Sequence, residues 1–199
     1  MIQITRRAFG ATLAAGAAVA VLPRPAQALD LASAKALIDR AIAEVNTVIN
    51  SGKAEQAMYK DFEAIFAKYA DVNAIARSAL GPASRSASAA EMKAFTRAYQ
   101  GYIGRKYGRR FREFIGGRIE VVDAKPLKSY FEVISVAHLQ GEAPFDLRWH
   151  VSNKSGKDLF FNIIIEGVNM LASEREEVGA MLKQNKGDIN ALIAALNAA

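Results

Sequence analysis

The side chains that most often support hydrolytic chemistry are scarce in this sequence and poorly arranged. It has two histidines, His138 and His150, and each falls on the more polar face of a predicted strand. A catalytic triad requires a histidine that lies beside both a nucleophile and an orienting acid. Asp146 and His150 share a strand face, but Arg148 lies between them, and no serine has the setting of a nucleophile elbow. The sequence therefore predicts a protein that is not an enzyme.

Metal and cofactor sites have characteristic spacings, and the sequence has none of them. There is no HExxH motif and no cysteine, so neither paired-cysteine metal sites nor thiol chemistry is expected. The segment GYIGRKYG places glycines at 101, 104 and 108, but they fall inside a helical pattern rather than in a phosphate-binding loop. Because they share one helical face, they predict the close approach of another backbone. We expect no metal and no cofactor.

The N-terminal segment, residues 1–28, has the composition of an export signal. Arg6 and Arg7 precede an apolar run, and the small-residue sequence AQA ends the segment. The run is shorter than the roughly 20 residues that span a bilayer, and the paired arginines resemble the twin-arginine export signal. We expect cleavage before Leu29, release into the periplasm and a single domain over residues 29–199. The formal net charge of +6, part of which lies in this signal, gives little support to nucleic-acid binding.

Hydrophobic periodicity divides the rest of the chain into helices and strands. A period of 3.6 predicts a helix over residues 31–49, two shorter helices before Gly81 and a long helix that begins at the capping box SAAE and ends at Gly116. From Ile119 the period becomes two and predicts four antiparallel strands. Helices return at Ser173. Helices, a strand meander and helices again indicate one α+β domain.

The distinctive feature of the sequence is its quantity of aromatic and branched side chains. The predicted long helix carries Phe or Tyr at positions 95, 99, 102, 107, 111 and 114, and the last predicted strand, LFFNIII, is apolar on both faces. An ordinary core could absorb all of these groups. Alternatively, the sheet and the long helix enclose a cavity for an apolar ligand, since such pockets are lined mainly by hydrophobic and aromatic side chains. Composition alone leaves both interpretations open.

A Glu-Gly pair interrupts the apolar run at the end of that strand. Glu166 has the parity of Phe160, Asn162 and Ile164, so these residues are expected opposite the cavity face. Glu166 either pairs with a cation, for which Arg77 is the candidate, or lies exposed at the strand end. Gly167 allows a sharp turn there because it lacks a Cβ.

Residues 71–199 resemble the MlaC or toluene-tolerance family of periplasmic phospholipid-binding transport proteins. The most specific segment is IIIEGVNMLASEREEV, and DVNAIARSALG, FTRAYQGYIGRKYGRRFREF and GDINALIAAL are similar to the early, long and closing helices of that family. Three positions depart from the family pattern. Ala83-Ser84 replaces an aromatic pair, Asn162 replaces an aspartate, and Val178 replaces an aromatic residue.

This resemblance implies a curved antiparallel sheet of about four strands, packed with N-terminal and C-terminal helices around an apolar cavity. It also implies a periplasmic carrier that shuttles phospholipid between the outer membrane and an inner-membrane ABC transporter. The partners would be phospholipid, that transporter complex and an outer-membrane lipid complex. The alternatives are a carrier of hopanoid or another apolar ligand, and an adaptor whose apolar residues are all core.

Strand parity and the resemblance together give candidate site residues. The long helix and the strands supply the expected lipid-binding set: Tyr99, Tyr102, Ile103, Tyr107, Phe111, Phe131, Val133, Phe145, Leu147, Trp149, Val151, Phe161, Ile163 and Ile165. Lys106 and Arg110 are expected at the cavity rim, where a lipid phosphate could rest. Arg105, Arg109 and Arg112 lie on another side of the helix and are candidates for docking to anionic partners. The alternative for all five cations is a solvated basic face.

Overall fold

The structure, a computed structural model, describes residues 29–199. The predicted signal peptide lies outside the described residues. Within residues 29–199, no helix combines the length and the apolar character needed to span a membrane.

Three helices precede the long one, and two of them begin at aspartate caps. Helix α1 runs over Leu31–Ile49, α2 over Glu55–Tyr69 and α3 over Val72–Leu80. Asp30 accepts a hydrogen bond from the Ser33 amide at 2.7 Å, and Asp71 caps α3 in the same way. A side chain that accepts from a free amide of the first turn stabilises a helix start by about 1 kcal/mol. These starts are therefore fixed by local sequence.

Helix α4, Ala89–Arg110, is the long helix, and a 3₁₀ turn over Phe111–Phe114 follows it. The predicted glycine face is used at two of its three positions. A Cβ on Gly104 would lie 2.8 Å from Cβ of Glu63, and a Cβ on Gly108 would lie 2.4 Å from the ring of Tyr59. Both neighbours belong to α2, so the missing side chains allow α2 to pack directly on α4. Gly101 faces only an arginine of its own helix.

The sheet is an antiparallel meander in chain order. Strand β1 spans Arg118–Leu127, β2 Tyr130–His138, β3 Phe145–Ser152, β4 Leu159–Ile165 and β5 Val168–Asn169. The four strands expected from sequence are present, and β5 is an addition. It is short and forms because the chain reverses in two residues after β4.

The reversal explains the Glu-Gly pair. Glu166 and Gly167 have φ angles of +49° and +82°, and Ile165 pairs directly with Val168. Two successive residues with positive φ characterise the type I′ turn of a two-residue hairpin, for which glycine is strongly preferred at the second position. The predicted sharp turn at Gly167 is thus part of a hairpin.

A β-bulge in β4 alters the facing predicted from simple alternation. His150 pairs with Asn162 but Val151 pairs with Phe160, so Phe161 is the extra residue. Phe160 consequently lies on the face of Trp149, with ring centroids 5.3 Å apart. The expectation that Phe160 points away from the cavity is wrong, because strict alternation ends at a bulge.

Helices α5, Met170–Gln184, and α6, Ile189–Ala198, complete the fold. Helix α1 packs on β1 and β2, α5 on α3 and β4, and α6 on α4. The sheet is open, with β1 and β5 at its edges. The described residues therefore form the predicted α+β arrangement of helices around an antiparallel sheet, and that prediction is confirmed.

Candidate functional site

A cavity of about 300 Å³ lies between the sheet and the helices. Its wall is mainly apolar and comes mostly from α1, α2, α4, α5 and strands β3 and β4, with Ile75 of α3 and Ile119 of β1. Helix α1 contributes Ile42 and Val45, and α2 contributes Phe62, Ile65 and Phe66. The core of the protein is therefore not packed solid between these elements, as it would be if every apolar residue served only packing.

Nine of the candidate lipid-binding residues lie on this wall. They are the residues of α4 that face the sheet, the residues of β3 and β4 that face the helices, and the bulged Phe161: Tyr99, Ile103, Tyr107, Phe145, Leu147, Trp149, Phe161, Ile163 and Ile165. Phe161, the bulged residue, also contacts the rings of Tyr130 and His150.

Four other candidates are placed elsewhere. Phe131, Val133 and Val151 share the sheet face of Trp149, but none of them lines the cavity. Val133 and Val151 are completely buried in packed core, because α1 covers this part of the sheet. Tyr102 is turned toward α5, where its hydroxyl donates to Glu177. The side chain of Phe111 lies outside the described residues.

The contributions of α1 and α2 were not anticipated from sequence. The apolar stripe of residues 31–49 is evident in the sequence, yet its period only says that one face is buried. Whether that face meets a sheet or a cavity depends on how far the facing elements stand apart. The position of Phe160 on the cavity wall was also not predictable from sequence, because it depends on the β-bulge.

One side of the wall contains a polar network between α4 and α5. Glu174 is almost fully buried, and it accepts hydrogen bonds from Lys106 at 2.7 Å and from the Tyr107 hydroxyl at 2.7 Å. Lys106 also pairs with Glu177. The ammonium group of Lys106 is thus held by two carboxylates and does not line the cavity. Lys106 was expected at the cavity rim, but it is not among the lining residues and its charge is already paired within the fold.

Burial and pairing perturb the acid–base properties of this network. Burial raises the pKa of Tyr102 to about 12, with a contribution from its hydrogen bond to Glu177. Burial and the neighbouring Glu174 raise the pKa of Tyr107. Burial alone would lower the pKa of Lys106, but the hydrogen bonds to both carboxylates raise it instead. Lys106 therefore remains charged and the tyrosines neutral across the physiological range.

Two polar atoms of residues on the cavity wall have no hydrogen-bond partner within the described part of the chain. They are the hydroxyl oxygen of Tyr99 and Oε2 of Glu174. A buried polar atom without a partner is destabilising by about 1–3 kcal/mol. Such atoms are uncommon in folded proteins, and at a cavity wall they indicate a place where a ligand or water could bind.

Charged side chains form the mouth of the cavity. Arg110, Glu113, Glu142 and Glu166 line it and are exposed. They come from the end of α4, the turn after it, the β2–β3 loop and the β4–β5 turn. Glu166 is thus exposed at a turn, which was one of the two sequence-based alternatives. The expectation that it lies opposite the cavity face is wrong, because the turn brings it to the cavity mouth. Arg77 lines a separate groove between α3 and α4.

Comparison with known families identifies the chain. The MlaC protein family matches residues 38–198, which is most of the chain. The chain belongs to the MlaC family. This confirms the resemblance predicted from the sequence.

A solved structure supports the fold of this MlaC-family chain. It is the phospholipid-binding protein from Ralstonia solanacearum, determined in complex with a phospholipid. The TM-score is 0.70 at 16% sequence identity, and the match covers 82% of this chain and 94% of that one. Likeness at this level of identity establishes a shared fold.

The docking candidates of this MlaC-family chain are partly engaged within it. Arg105 donates to the carbonyl oxygen of Leu196 at 2.6 Å, and Arg109 donates to a backbone oxygen of Ala199 at 2.8 Å. Both arginines thereby hold the C-terminal helix against α4. Arg109 remains exposed, whereas Arg105 is half-buried. The side chain of Arg112 lies outside the described residues.

The histidines lie on the face of the sheet opposite Trp149. His150 is within 3.4 Å of Glu132, and its Nδ1 is 3.4 Å from the amide nitrogen of Asn162. Burial lowers the pKa of His150, although the hydrogen bond with Glu132 opposes this shift. Asn162 accepts from the Leu171 amide at 3.1 Å and so links β4 to the start of α5. The acid facing His150 is Glu132 rather than Asp146.

Proposed function

We propose that this protein is a periplasmic phospholipid carrier that moves lipid between the outer membrane and an inner-membrane ABC transporter. The observation that carries the proposal is the apolar cavity, in a chain of the MlaC family whose fold is shared with a phospholipid-binding protein. Each methylene removed from water contributes about 0.8 kcal/mol. Acyl chains enclosed between Phe62, Trp149 and Ile163 would therefore cross the aqueous space without the large barrier faced by a free lipid.

Carriage of this kind requires no covalent step. A carrier needs a wall that excludes water from the lipid tails and an opening through which the lipid enters and leaves. The aromatic and branched side chains of α2, α4 and β4 suit the first requirement, and the charged mouth suits the second. The carrier would meet its membrane complexes through exposed cations such as Arg109, where complementary charge speeds association.

Two alternatives make different predictions. A carrier of hopanoid or another apolar molecule would have the same cavity with different cargo, and an adaptor would have no cargo. Organic-solvent extraction of the purified protein followed by mass spectrometry separates the three. Phospholipid near one molecule per chain supports the proposal, a different extracted lipid supports the second function, and an empty extract supports the third.

Substitution of a cavity residue tests where the lipid lies. Ile163→Asp introduces a carboxylate at the cavity wall, and Ile164→Asp introduces the same group on the opposite face of β4. A charge in the cavity can be hydrated only if water replaces the acyl chains, because an unpaired charge in an apolar medium is strongly unfavourable. We expect Ile163→Asp to fold but to lose bound lipid, and Ile164→Asp to keep it.

Circular dichroism and quantified lipid extraction provide the measurements. A folded Ile163→Asp protein with lipid at the wild-type level would contradict the placement of the acyl chains. An unfolded Ile163→Asp protein would mean that this region is dry core, and it would favour the adaptor.

A further inference from the structure

The charges at the cavity mouth are unequal. Arg110 supplies one cation, and Glu113, Glu142 and Glu166 supply three carboxylates. All four side chains are exposed. In the described part of the chain, none of the three carboxylates has an ion-pair partner. The mouth therefore presents mainly hydrogen-bond acceptors and negative charge to whatever enters it.

The inner wall of the cavity also contains polar atoms without a hydrogen-bond partner among the described residues. Oε2 of Glu174 is buried without a partner, and the hydroxyl of Tyr99 is also unpartnered. A carboxylate oxygen only accepts hydrogen bonds. Glu174 accepts from Tyr107, which is one helical turn before Arg110, so this acceptor belongs to the stretch of wall that leads to the mouth. The mouth carboxylates and Oε2 of Glu174 are therefore two separate groups of acceptors that a hydrogen-bond donor on the ligand would satisfy.

A zwitterionic headgroup meets these requirements better than an anionic one. The phosphate of a phospholipid suits the guanidinium of Arg110, since arginine binds phosphate through paired donors. A terminal ammonium supplies N–H donors and positive charge for the surrounding glutamates. A headgroup that ends in hydroxyl groups supplies donors but no positive charge, so the three carboxylates remain without a cation beside the phosphate, and like charges repel.

We propose that the cavity mouth selects phospholipids whose headgroup ends in an ammonium group. Arg110 receives the phosphate, and Glu113, Glu142 and Glu166 receive the ammonium. The inference rests on the proposed phospholipid-carrier function and specifies its substrate class. Arg110 keeps the phosphate-binding role expected from sequence, but the mouth as a whole is negative rather than basic, because Lys106 is paired with Glu174 and three glutamates surround Arg110.

A competition experiment tests the preference. The delipidated protein is incubated with vesicles that contain equal amounts of phosphatidylethanolamine and phosphatidylglycerol. The protein is then separated from the vesicles, and bound lipids are counted by mass spectrometry. An exposed ion pair changes affinity by about twofold, so three carboxylates acting independently are expected to enrich phosphatidylethanolamine by about eightfold. The enrichment should shrink as salt is raised toward 1 M, since exposed charges are then screened.

Matched variants separate the mouth from the overall charge of the protein. The triple variant Glu113→Gln, Glu142→Gln, Glu166→Gln removes the three negative charges of the mouth. The control variant Asp39→Asn, Asp158→Asn, Glu176→Gln makes the same change in net charge with carboxylates that do not line the cavity. We expect the mouth variant to bind both lipids in the vesicle ratio and the control to keep the wild-type enrichment, with equal total lipid in all three proteins.

Each other result overturns the inference. Wild-type protein that binds both lipids in the vesicle ratio has no such preference, even though the carrier function would stand. Enrichment that survives in the mouth variant, or disappears equally in the control, places its cause elsewhere. Wild-type protein that takes up neither lipid overturns the carrier proposal together with this one.

Discussion

Replacing Gly104 by alanine tests how tightly α2 and α4 are packed behind the cavity. A Cβ at this position would lie 2.8 Å from Cβ and 3.2 Å from Cα of Glu63. Neither atom belongs to the flexible end of a side chain, so relief requires the two helices to move apart. Extra methyl groups forced into packed interfaces typically destabilise by about 1–3 kcal/mol. Alanine in a helix is also more stable than glycine by about 0.5–1 kcal/mol, so the expected net loss is roughly 1 kcal/mol.

Gly179 provides the matched control. It lies inside α5, and a Cβ there would have no atom within 4 Å. Gly179→Ala should therefore gain the helix-propensity term alone and stabilise the protein by about 0.5–1 kcal/mol. The propensity term is shared, so the difference between the two variants isolates the packing term of about 1–3 kcal/mol. For a chain of this size, each kcal/mol corresponds to roughly 2–4 °C in melting temperature.

Urea unfolding followed through Trp149 fluorescence measures both variants. The protein is first delipidated, because a ligand that binds only the folded state adds to apparent stability. Unchanged dependence on urea concentration would establish that the variants differ in stability rather than in the surface exposed on unfolding. If Gly104→Ala were as stabilising as Gly179→Ala, the close approach of α2 to α4 would be refuted.

Three further predictions follow from the network, the histidine and the N-terminal segment. Lys106→Met should destabilise the protein by roughly 3 kcal/mol in urea unfolding, since it leaves the carboxylate of Glu174 buried without its cation. A loss of stability no larger than that caused by the same substitution at an exposed lysine would contradict this. The pKa of His150 is lowered in the fold, so the unfolded chain binds its proton more readily, and stability should fall as pH decreases through about 6.5. His150→Gln should flatten that dependence in thermal melts between pH 7.5 and 5.5. Replacing Arg6 and Arg7 by lysine should leave precursor in the cytoplasm on fractionation, and normal export would remove the twin-arginine interpretation.

The sequence determined the features that depend on neighbouring residues. Capping aspartates, the SAAE box and the change of hydrophobic period from 3.6 to two mark where helices and strands begin, because each reflects hydrogen bonds and side-chain facing within a few residues. The spacing of Gly104 and Gly108 likewise predicted a close helix contact, since both lie on one face. Family resemblance added the overall arrangement.

Tertiary structure decided the features that depend on distant residues. Alternation predicted one sheet face, but it could not say that α1 covers Val133 while Ile163 is left at a cavity. It also could not locate the bulge that turns Phe160 inward, because register is fixed by the pairing of two strands.

Lys106 illustrates the same limit in electrostatic terms. On the sequence of α4 it is one basic residue among several, and it looks available for a phosphate. Only the packing of α5 brings Glu174 and Glu177 to its ammonium group. Charge compensation depends on distances through space, and those distances are set by the packing of elements nearly 70 residues apart in the chain.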